Sequence, residues 1–293
     1  MKINAVFEGG GMKAIALVGG VKATEERGFQ FRRVAGTSSG AIVASFIAAG
    51  YSAEEMKEMI AEKPFTRFAK TWTGHLRVIG PAVRLWWKKG LYSANPLEQW
   101  VEEKLTAKGV RTFADLTPNQ LRIIASDISR GRMIVIPDDL ENYGIEPGRF
   151  PVARAVRMSA SLPFFFDPVI LRLNGNDASY IVDGGLLSNF PLWLFDRETE
   201  NQGIPTIGFQ LVGPKKNGRN EIRGPLSMLQ ALFSTMVEAH DERYIEKHNR
   251  FRTVMIPTKG VRTTEFDLSE EKCDLLYQSG LESTRNFYSG WTF

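Results

Sequence analysis

The segment GTSSG at residues 36–40 fits the pattern G-x-S-x-G and places Ser38 at its centre. The run FRRVAG before it predicts a short strand, and the apolar run SSGAIVASFIAAGY after it predicts a buried helix. A serine at such a strand–turn–helix corner presents its hydroxyl outward, and the helix N-terminus beneath it favours negative charge. The context favours a nucleophile, and the alternative is that Ser38 or Ser39 caps the helix.

A serine hydroxyl needs a base to become a good nucleophile, and Asp183 is a candidate for that base. The run YIVDGG predicts a strand that ends at Asp183, directly before Gly184 and Gly185. Burial at the end of a strand raises the pKa of a carboxyl group and makes the carboxylate more basic. An ordinary Asp-Gly turn is the alternative interpretation.

Histidine is the usual base for a serine nucleophile, and the chain contains His75, His240 and His248. The order serine, aspartate, histidine would suit a triad of the α/β-hydrolase kind. His240 and His248 lie in the charged helical stretch EAHDERYIEKHNR, and His75 lies among basic and aromatic residues. A solvated surface is therefore the alternative for each histidine, and a Ser-His-Asp esterase stays open.

A glycine-rich loop, GGGMK at residues 9–13, follows the first predicted strand. Such a loop could bind a phosphate or stabilise a reacting carbonyl. A dinucleotide fold requires an acidic residue at the end of the second strand, and here that strand ends in the GTSSG turn. The loop also lacks the G-K-[ST] of a P-loop. Nucleotide binding is therefore disfavoured.

The segments GGGMK, GTSSG and DGG, in this order, resemble those of the patatin-like phospholipases. The linking segments TFADL, LRIIASDISRG, AVRMSASLPFFFDPV and DGGLLSNFP are similar to that family as well. The resemblance covers roughly residues 3–212. One position departs from the family's usual loop, G-G-G-x-[RK]-G, because Ala14 stands in place of the last glycine.

The resemblance implies a Ser38–Asp183 dyad without histidine, in which Ser38 attacks an ester carbonyl and Asp183 takes its proton. It also implies that backbone N–H groups, those of Gly10 and Gly11 above all, stabilise the oxyanion. The residues implied for the oxyanion hole are Gly9, Gly10, Gly11 and Met12. The residues implied to support the motifs are Lys13, Gly36, Gly40, Gly184 and Gly185.

Predicted strands and helices alternate along the whole chain, which indicates an α/β fold. We expect a three-layer sandwich with a mostly parallel central sheet, as the resemblance also implies. No linker rich in proline, glycine or serine interrupts the 293 residues, so we expect a single domain, residues 1–293. Residues 213–293 carry no motif of the family.

The composition limits the chemistry and the compartment. Cys273 is the single cysteine, which excludes an internal disulfide and a cysteine-ligated metal, and no H-E-x-x-H spacing occurs. A zinc enzyme is therefore disfavoured, and the acyl-serine chemistry that the resemblance implies requires no metal and no cofactor. The N-terminus lacks the pattern of a secretory signal, and the longest apolar stretches are too short to span a bilayer. These features predict a cytoplasmic protein that is at most peripheral at a membrane.

Residues 63–97 contain no aspartate or glutamate and interleave basic with aromatic side chains. Tryptophan beside lysine and arginine is typical of a surface that rests on anionic lipid headgroups. Packing of the aromatics in the core is the alternative, and single-stranded nucleic acid is disfavoured beside a lipase-like dyad. We expect residues 63–97 to form a lid or an interfacial segment over the acyl pocket, in which Trp72, Trp86, Trp87, Lys88 and Lys89 contact lipid.

The function expected from these features is that of a lipid acyl hydrolase of the phospholipase A or lysophospholipase type. A non-catalytic lipid-binding protein on the same fold is a further alternative. The expected partners are a lipid substrate and an anionic membrane surface, and the sequence leaves the oligomeric state open.

Overall fold

The computed structural model describes residues 1–61, 87–172, 177–196, 203–213, 249–261 and 268–291 of the chain, and the single positions 222, 224, 228, 231, 232 and 235. The strands in these residues are β1 (Lys2–Phe7), β2 (Gln30–Thr37), β3 (Gly90–Tyr92), β4 (Leu121–Asp127), β5 (Arg132–Ile136), β6 (Phe164–Phe166), β7 (Val169–Arg172), β8 (Ala178–Asp183), β9 (Thr206–Val212) and β10 (Thr253–Pro257).

The α-helices in the same residues are α1 (Ala14–Glu26), α2 (Ser39–Ala48), α3 (Ala53–Ala61), α4 (Asn95–Ala107), α5 (Val152–Ala160) and α6 (Glu270–Gly290). Among these described helices, none combines the length and the apolar character that crossing a bilayer requires.

The main sheet has the strand order β10-β9-β1-β2-β4-β8-β7, and β5 pairs with β4 beside this path. The strands from β10 to β4 are parallel to their neighbours, whereas β8 is antiparallel to β4 and β7 is antiparallel to β8. Strands β3 and β6 form a separate parallel pair. The predicted α/β fold with a mostly parallel central sheet is confirmed, and the single domain stays a prediction.

The central strands bury side chains on both faces, as a covered parallel sheet requires. Every residue of β4 is buried. Phe7 of β1 stacks on Phe209 of β9, with 4.9 Å between the ring centroids, within the core that the helices cover. Val6 points to the opposite face, where it packs in a smaller cluster with residues such as Phe190.

Helices α1 and α6 pack backbone against backbone. A Cβ atom added to Gly280 of α6 would lie 1.8 Å from the carbonyl oxygen of Ala16, and one added to Gly19 of α1 would lie 2.0 Å from that of Tyr277. Only glycine permits this approach. The C-terminal helix therefore fixes α1, and α1 begins directly after the glycine-rich loop.

Candidate active site

Ser38 occupies a sharp turn between β2 and α2. Its φ of 53° and ψ of −123° are strained for a residue with a side chain. Close packing enforces the turn, because a Cβ atom added to Gly36 would lie 2.3 Å from the carbonyl oxygen of Gly40. One added to Gly40 would lie 2.3 Å from the carbonyl oxygen of Phe7. These contacts explain the glycines on both sides of the serine.

Ser159 of α5 holds the backbone of this turn. The Ser38 N–H donates a hydrogen bond to Ser159 Oγ at 2.8 Å, and Ser159 Oγ donates to the Ile124 carbonyl oxygen at 2.5 Å. Ser159 is completely buried. Sequence reasoning missed this residue, although a serine on the buried face of the helix AVRMSAS was a signal for it.

Asp183 lies beside Ser38, at the end of β8. Ser38 Oγ donates a hydrogen bond to Asp183 Oδ2 at 2.6 Å, and the Gly185 N–H donates to Asp183 Oδ1 at 2.8 Å. A Cβ atom added to Gly184 would lie 2.3 Å from the Ile124 carbonyl oxygen, so glycine lets this turn pack on β4. The fold therefore joins two side chains that are 145 residues apart in the sequence.

Burial controls the protonation of the Asp183 carboxyl group. Removal from water raises its pKa to about 6, against the opposing effects of the hydrogen bonds from Ser38 and from the Gly185 N–H. The side chain is 3% exposed, which accounts for the size of the effect. A carboxylate with this pKa is mostly ionised at neutral pH and is a stronger base than a solvated aspartate.

The N–H groups of the glycine-rich loop divide into two sets. The Gly9 N–H donates to the Asn189 carbonyl oxygen at 3.3 Å, and the Gly10 N–H donates to Ser39 Oγ at 2.9 Å. Gly11 and Met12 begin a 3₁₀ turn, and their N–H groups have no hydrogen-bond partner within the described part of the chain. The latter two are therefore the candidate donors for an oxyanion.

Lys13 and Ala14 complete the loop. The Lys13 N–H donates to the Gly10 carbonyl oxygen at 3.3 Å, and Lys13 Cε lies 3.3 Å from the position that a Cβ atom on Gly10 would occupy. The stem of the lysine thus covers Gly10. Ala14, the departure from the family's loop, is buried at the start of α1.

Asn189 fixes the other end of the loop and was also missed in the sequence. Its Nδ2 donates to the Gly9 carbonyl oxygen at 3.3 Å and to Glu8 Oε1 at 3.2 Å. The second carboxylate oxygen of Glu8 accepts the Leu211 N–H. The signal was the asparagine of DGGLLSNFP, six residues after Asp183.

An apolar cavity of about 10 Å³ lies beside Gly11 and Met12 of the glycine-rich loop. Gly11 and Met12 line it together with Ile42 and Phe46 of α2 and Met56 of α3. It has room for roughly one water molecule as it stands. Two of the lining side chains are methionines, which change conformation more easily than branched residues.

The structure describes only some of the residues that were predicted to contact lipid or to act as a histidine base. Trp87, Lys88 and Lys89 are exposed. Five residues lie outside the described ranges, namely Trp72, Trp86, His75, His240 and His248.

The sequence of this chain is similar to those of several known proteins. The model of the family described as "Patatin-like phospholipase" matches residues 5–196. The Bacillus subtilis (strain 168) protein named "Uncharacterized protein YqhO" is 44% identical, and the alignment covers 100% of both chains. The "cGAMP-activated phospholipase" of Escherichia coli (strain TW11681) is 26% identical over 57% of this chain and 44% of that protein.

Among solved structures, VipD from Legionella pneumophila has the same fold, with a TM-score of 0.60 at 18% identity. The match covers 98% of this chain and 66% of the VipD chain, so this chain spans about two thirds of that protein. The range matched by the family model includes the glycine-rich loop, the Ser38 turn and Asp183. The chain therefore belongs to the patatin-like phospholipase family.

Proposed function

We propose that this protein is a serine-dependent lipid acyl hydrolase of the phospholipase A or lysophospholipase type. The observation that carries the proposal is the 2.6 Å hydrogen bond from Ser38 Oγ to Asp183 Oδ2 in a buried turn. The carboxylate contacts the hydroxyl directly, which supports a dyad rather than a triad with an intervening histidine. Membership of the patatin-like phospholipase family supports a lipid ester as the substrate.

In the proposed reaction, Asp183 accepts the hydroxyl proton as Ser38 Oγ forms a bond to the ester carbonyl carbon. The carbonyl π electrons move to its oxygen and give a tetrahedral oxyanion. When the oxyanion collapses, the bond to the alcohol breaks, and the leaving alcohol takes the proton from Asp183. Water then attacks the carbonyl carbon of the acyl-serine while Asp183 accepts a proton from the water. The bond to Ser38 Oγ breaks, the oxygen takes the proton back from Asp183, and the fatty acid is released.

We assign the oxyanion-binding role to the N–H groups of Gly11 and Met12. The N–H groups of Gly9 and Gly10 already have acceptors, whereas those of Gly11 and Met12 do not within the described residues. Gly11 has a φ of 59°, a conformation that glycine adopts without strain. Each such fixed donor lowers the barrier by about 3 kcal/mol.

We place the substrate's acyl chain in the apolar cavity beside these donors. The cavity is lined by Gly11 and Met12, so a carbonyl oxygen bound at their N–H groups would lie near the cavity. An acyl chain fits only after side chains such as Met56 move aside, because the present volume is about 10 Å³. Burial of the chain there contributes about 0.8 kcal/mol for each methylene group.

Labelling with a fluorophosphonate tests the nucleophile directly. The expected result is one adduct on Ser38 in the wild type, with fluoride as the leaving group, and none in Ser38→Ala. An Asp183→Asn variant is expected to hydrolyse a short-chain p-nitrophenyl ester about 10²- to 10⁴-fold more slowly. Folded wild type without an adduct, under conditions that label a control lipase, contradicts the hydrolase and supports a non-catalytic lipid-binding protein.

A histidine-free variant separates the dyad from the triad. We expect a variant with His75, His240 and His248 all replaced by Gln to keep most of its esterase activity, because Asp183 already contacts the hydroxyl. Loss of activity in a folded variant, with Ser38 still required, would favour a Ser-His-Asp esterase instead.

A further inference from the structure

Tyr180 of β8 is the centre of a surface to which four segments of the chain contribute. Ile170 of β7 pairs with Tyr180 across the antiparallel strands. The Ile128 N–H donates a hydrogen bond to the Tyr180 carbonyl oxygen at 3.1 Å. The Lys89 ammonium lies 5.0 Å from the centroid of its ring. Phe164 of β6 pairs with Gly90, the residue after Lys89.

Large apolar side chains on this surface are exposed to solvent. Trp87 is 77% exposed, Ile128 51%, Phe164 42% and Ile170 39%. One exposed apolar side chain is ordinary, whereas several on adjoining segments indicate a contact surface. We call these four residues, with the basic residues beside them, the Tyr180 surface.

The exposed charges on the same segments are mostly positive. Arg172 shares the exposed face of β7 with Ile170. Asp167 faces inward and lies 3.7 Å from Arg157, and the exposed Asp177 lies 3.5 Å from Arg130. The exposed basic residues within two positions of the four apolar residues are Lys88, Lys89, Arg130 and Arg172. Four positive charges and one negative charge, that of Asp177, give a net charge of +3.

The Tyr180 surface adjoins the dyad. Tyr180 precedes Asp183 by three residues on β8, which is about 10 Å along a strand. The Asp183 N–H donates to the Ser161 carbonyl oxygen at 2.9 Å. Ser161 lies in the connection between α5 and β6, and Phe164 is the first residue of β6. The backbone of this surface is therefore continuous with the segment that carries Asp183, whereas the Tyr180 and Asp183 side chains point to opposite faces of β8.

We propose that the Tyr180 surface docks the protein on an anionic phospholipid bilayer. Tryptophan, phenylalanine and isoleucine beside lysine and arginine suit the boundary between headgroups and acyl chains. A second copy of the chain is a poorer occupant, because a symmetric contact would oppose two faces of like charge. The choice of a lipid partner rests on the proposed function, in which the substrate is a membrane lipid.

The test is cosedimentation with vesicles of phosphatidylcholine alone or mixed with phosphatidylglycerol. Wild type is expected to bind the mixed vesicles and to bind less in high salt or without phosphatidylglycerol. An Ile128→Ser/Ile170→Ser variant is expected to bind at least about tenfold more weakly. Its hydrolysis of a soluble short-chain ester is expected to match wild type, which also shows that the variant is folded.

A Phe251→Ser/Leu275→Ser variant is the matched control, because these apolar side chains are 70% and 49% exposed and lie on other segments. It is expected to bind like wild type. The proposal is overturned if wild type does not bind mixed vesicles, if the Ile128/Ile170 variant binds equally well, or if both variants lose binding alike. It is also overturned if wild type dimerises through this face. Failure of wild type to hydrolyse the soluble ester would instead count against the proposed function and leaves the binding comparison valid.

Discussion

Asn189 binds Gly9 through both of the peptide groups of that residue. Asn189 Nδ2 donates to the Gly9 carbonyl oxygen at 3.3 Å, and the Asn189 carbonyl oxygen accepts the Gly9 N–H at 3.3 Å. Asn189 follows Asp183 by six residues, so one short segment carries the proposed base and holds the glycine-rich loop. The geometry of the proposed oxyanion hole therefore depends on the segment that carries Asp183.

Replacement of Asn189 by Ala is expected to lower kcat for a short-chain ester by about tenfold or more, because the loop loses its side-chain anchor. The loss also leaves a buried oxygen of Glu8 without this donor, at a cost of about 1–3 kcal/mol in the free energy of unfolding. Steady-state kinetics and denaturant unfolding measure the two effects. Asn142→Ala, at an exposed site, is the control, and an equal loss in both variants would refute the role of the anchor.

Replacement of Ser159 by Ala is expected to reduce the rate of fluorophosphonate labelling at Ser38, while KM changes little. The variant leaves the Ser38 N–H and the Ile124 carbonyl oxygen without their shared partner, so the strained turn relaxes. Ser161→Ala is a matched control, since Ser161 is equally buried and its hydroxyl donates to the Arg157 carbonyl oxygen at 2.8 Å. Equal labelling rates in the two variants would contradict a positioning role for Ser159.

Activity is expected to fall as the pH decreases through about 6, because protonated Asp183 cannot accept the proton of Ser38. A kcat/KM profile on a soluble ester, measured from pH 4.5 to pH 8.5, should show one ionisation on its acid side. An acid limb with a midpoint near 4, the value of a solvated aspartate, would contradict the effect of burial.

Asp183→Asn is expected to raise the free energy of unfolding at pH 8 while it abolishes most activity. The pKa of Asp183 is raised from 3.8 to about 6 in the folded chain, so the folded state binds the proton more tightly than the unfolded state. Ionisation of this group therefore lowers stability as the pH rises from about 4 to 6, by about 3 kcal/mol in all. The difference in the free energy of unfolding between the variant and wild type should therefore be about half as large at pH 5 as at pH 8. Denaturant unfolding at both pH values measures this difference. A difference that does not change with pH would contradict the raised pKa of Asp183.

Met56→Ala is expected to shift the preference of the enzyme toward longer acyl chains, because it enlarges the cavity beside Gly11 and Met12. Each further methylene group that becomes buried should raise kcat/KM roughly fourfold. A series of p-nitrophenyl esters from butanoate to dodecanoate measures the preference. Met59→Ala is the control, because Met59 is buried on the same helix and does not line the cavity. The same chain-length profile in both variants would place the acyl chain elsewhere.

Features of the fold and of the candidate site that depend on short segments could be predicted from the amino-acid pattern. A Cβ atom added to Gly36, Gly40 or Gly184 would lie about 2.3 Å from a backbone atom, so only glycine fits at these positions. Such a requirement is visible in the sequence as a local motif. The alternation of apolar runs likewise predicted the α/β class and the mostly parallel sheet, because a covered sheet needs strands that are buried on both faces.

Contacts between groups that are far apart in the sequence could be identified only from the packing of the folded chain. The contact of Ser159 with Ser38 spans 121 residues and that of Asn189 with Gly9 spans 180, and neither serine nor asparagine has a local pattern that names its partner. The packing also determines which N–H groups remain available, since Gly9 and Gly10 are occupied by distant acceptors whereas Gly11 and Met12 are not within the described residues. Local sequence restricts backbone conformation, and only packing fixes where a hydrogen-bond partner lies.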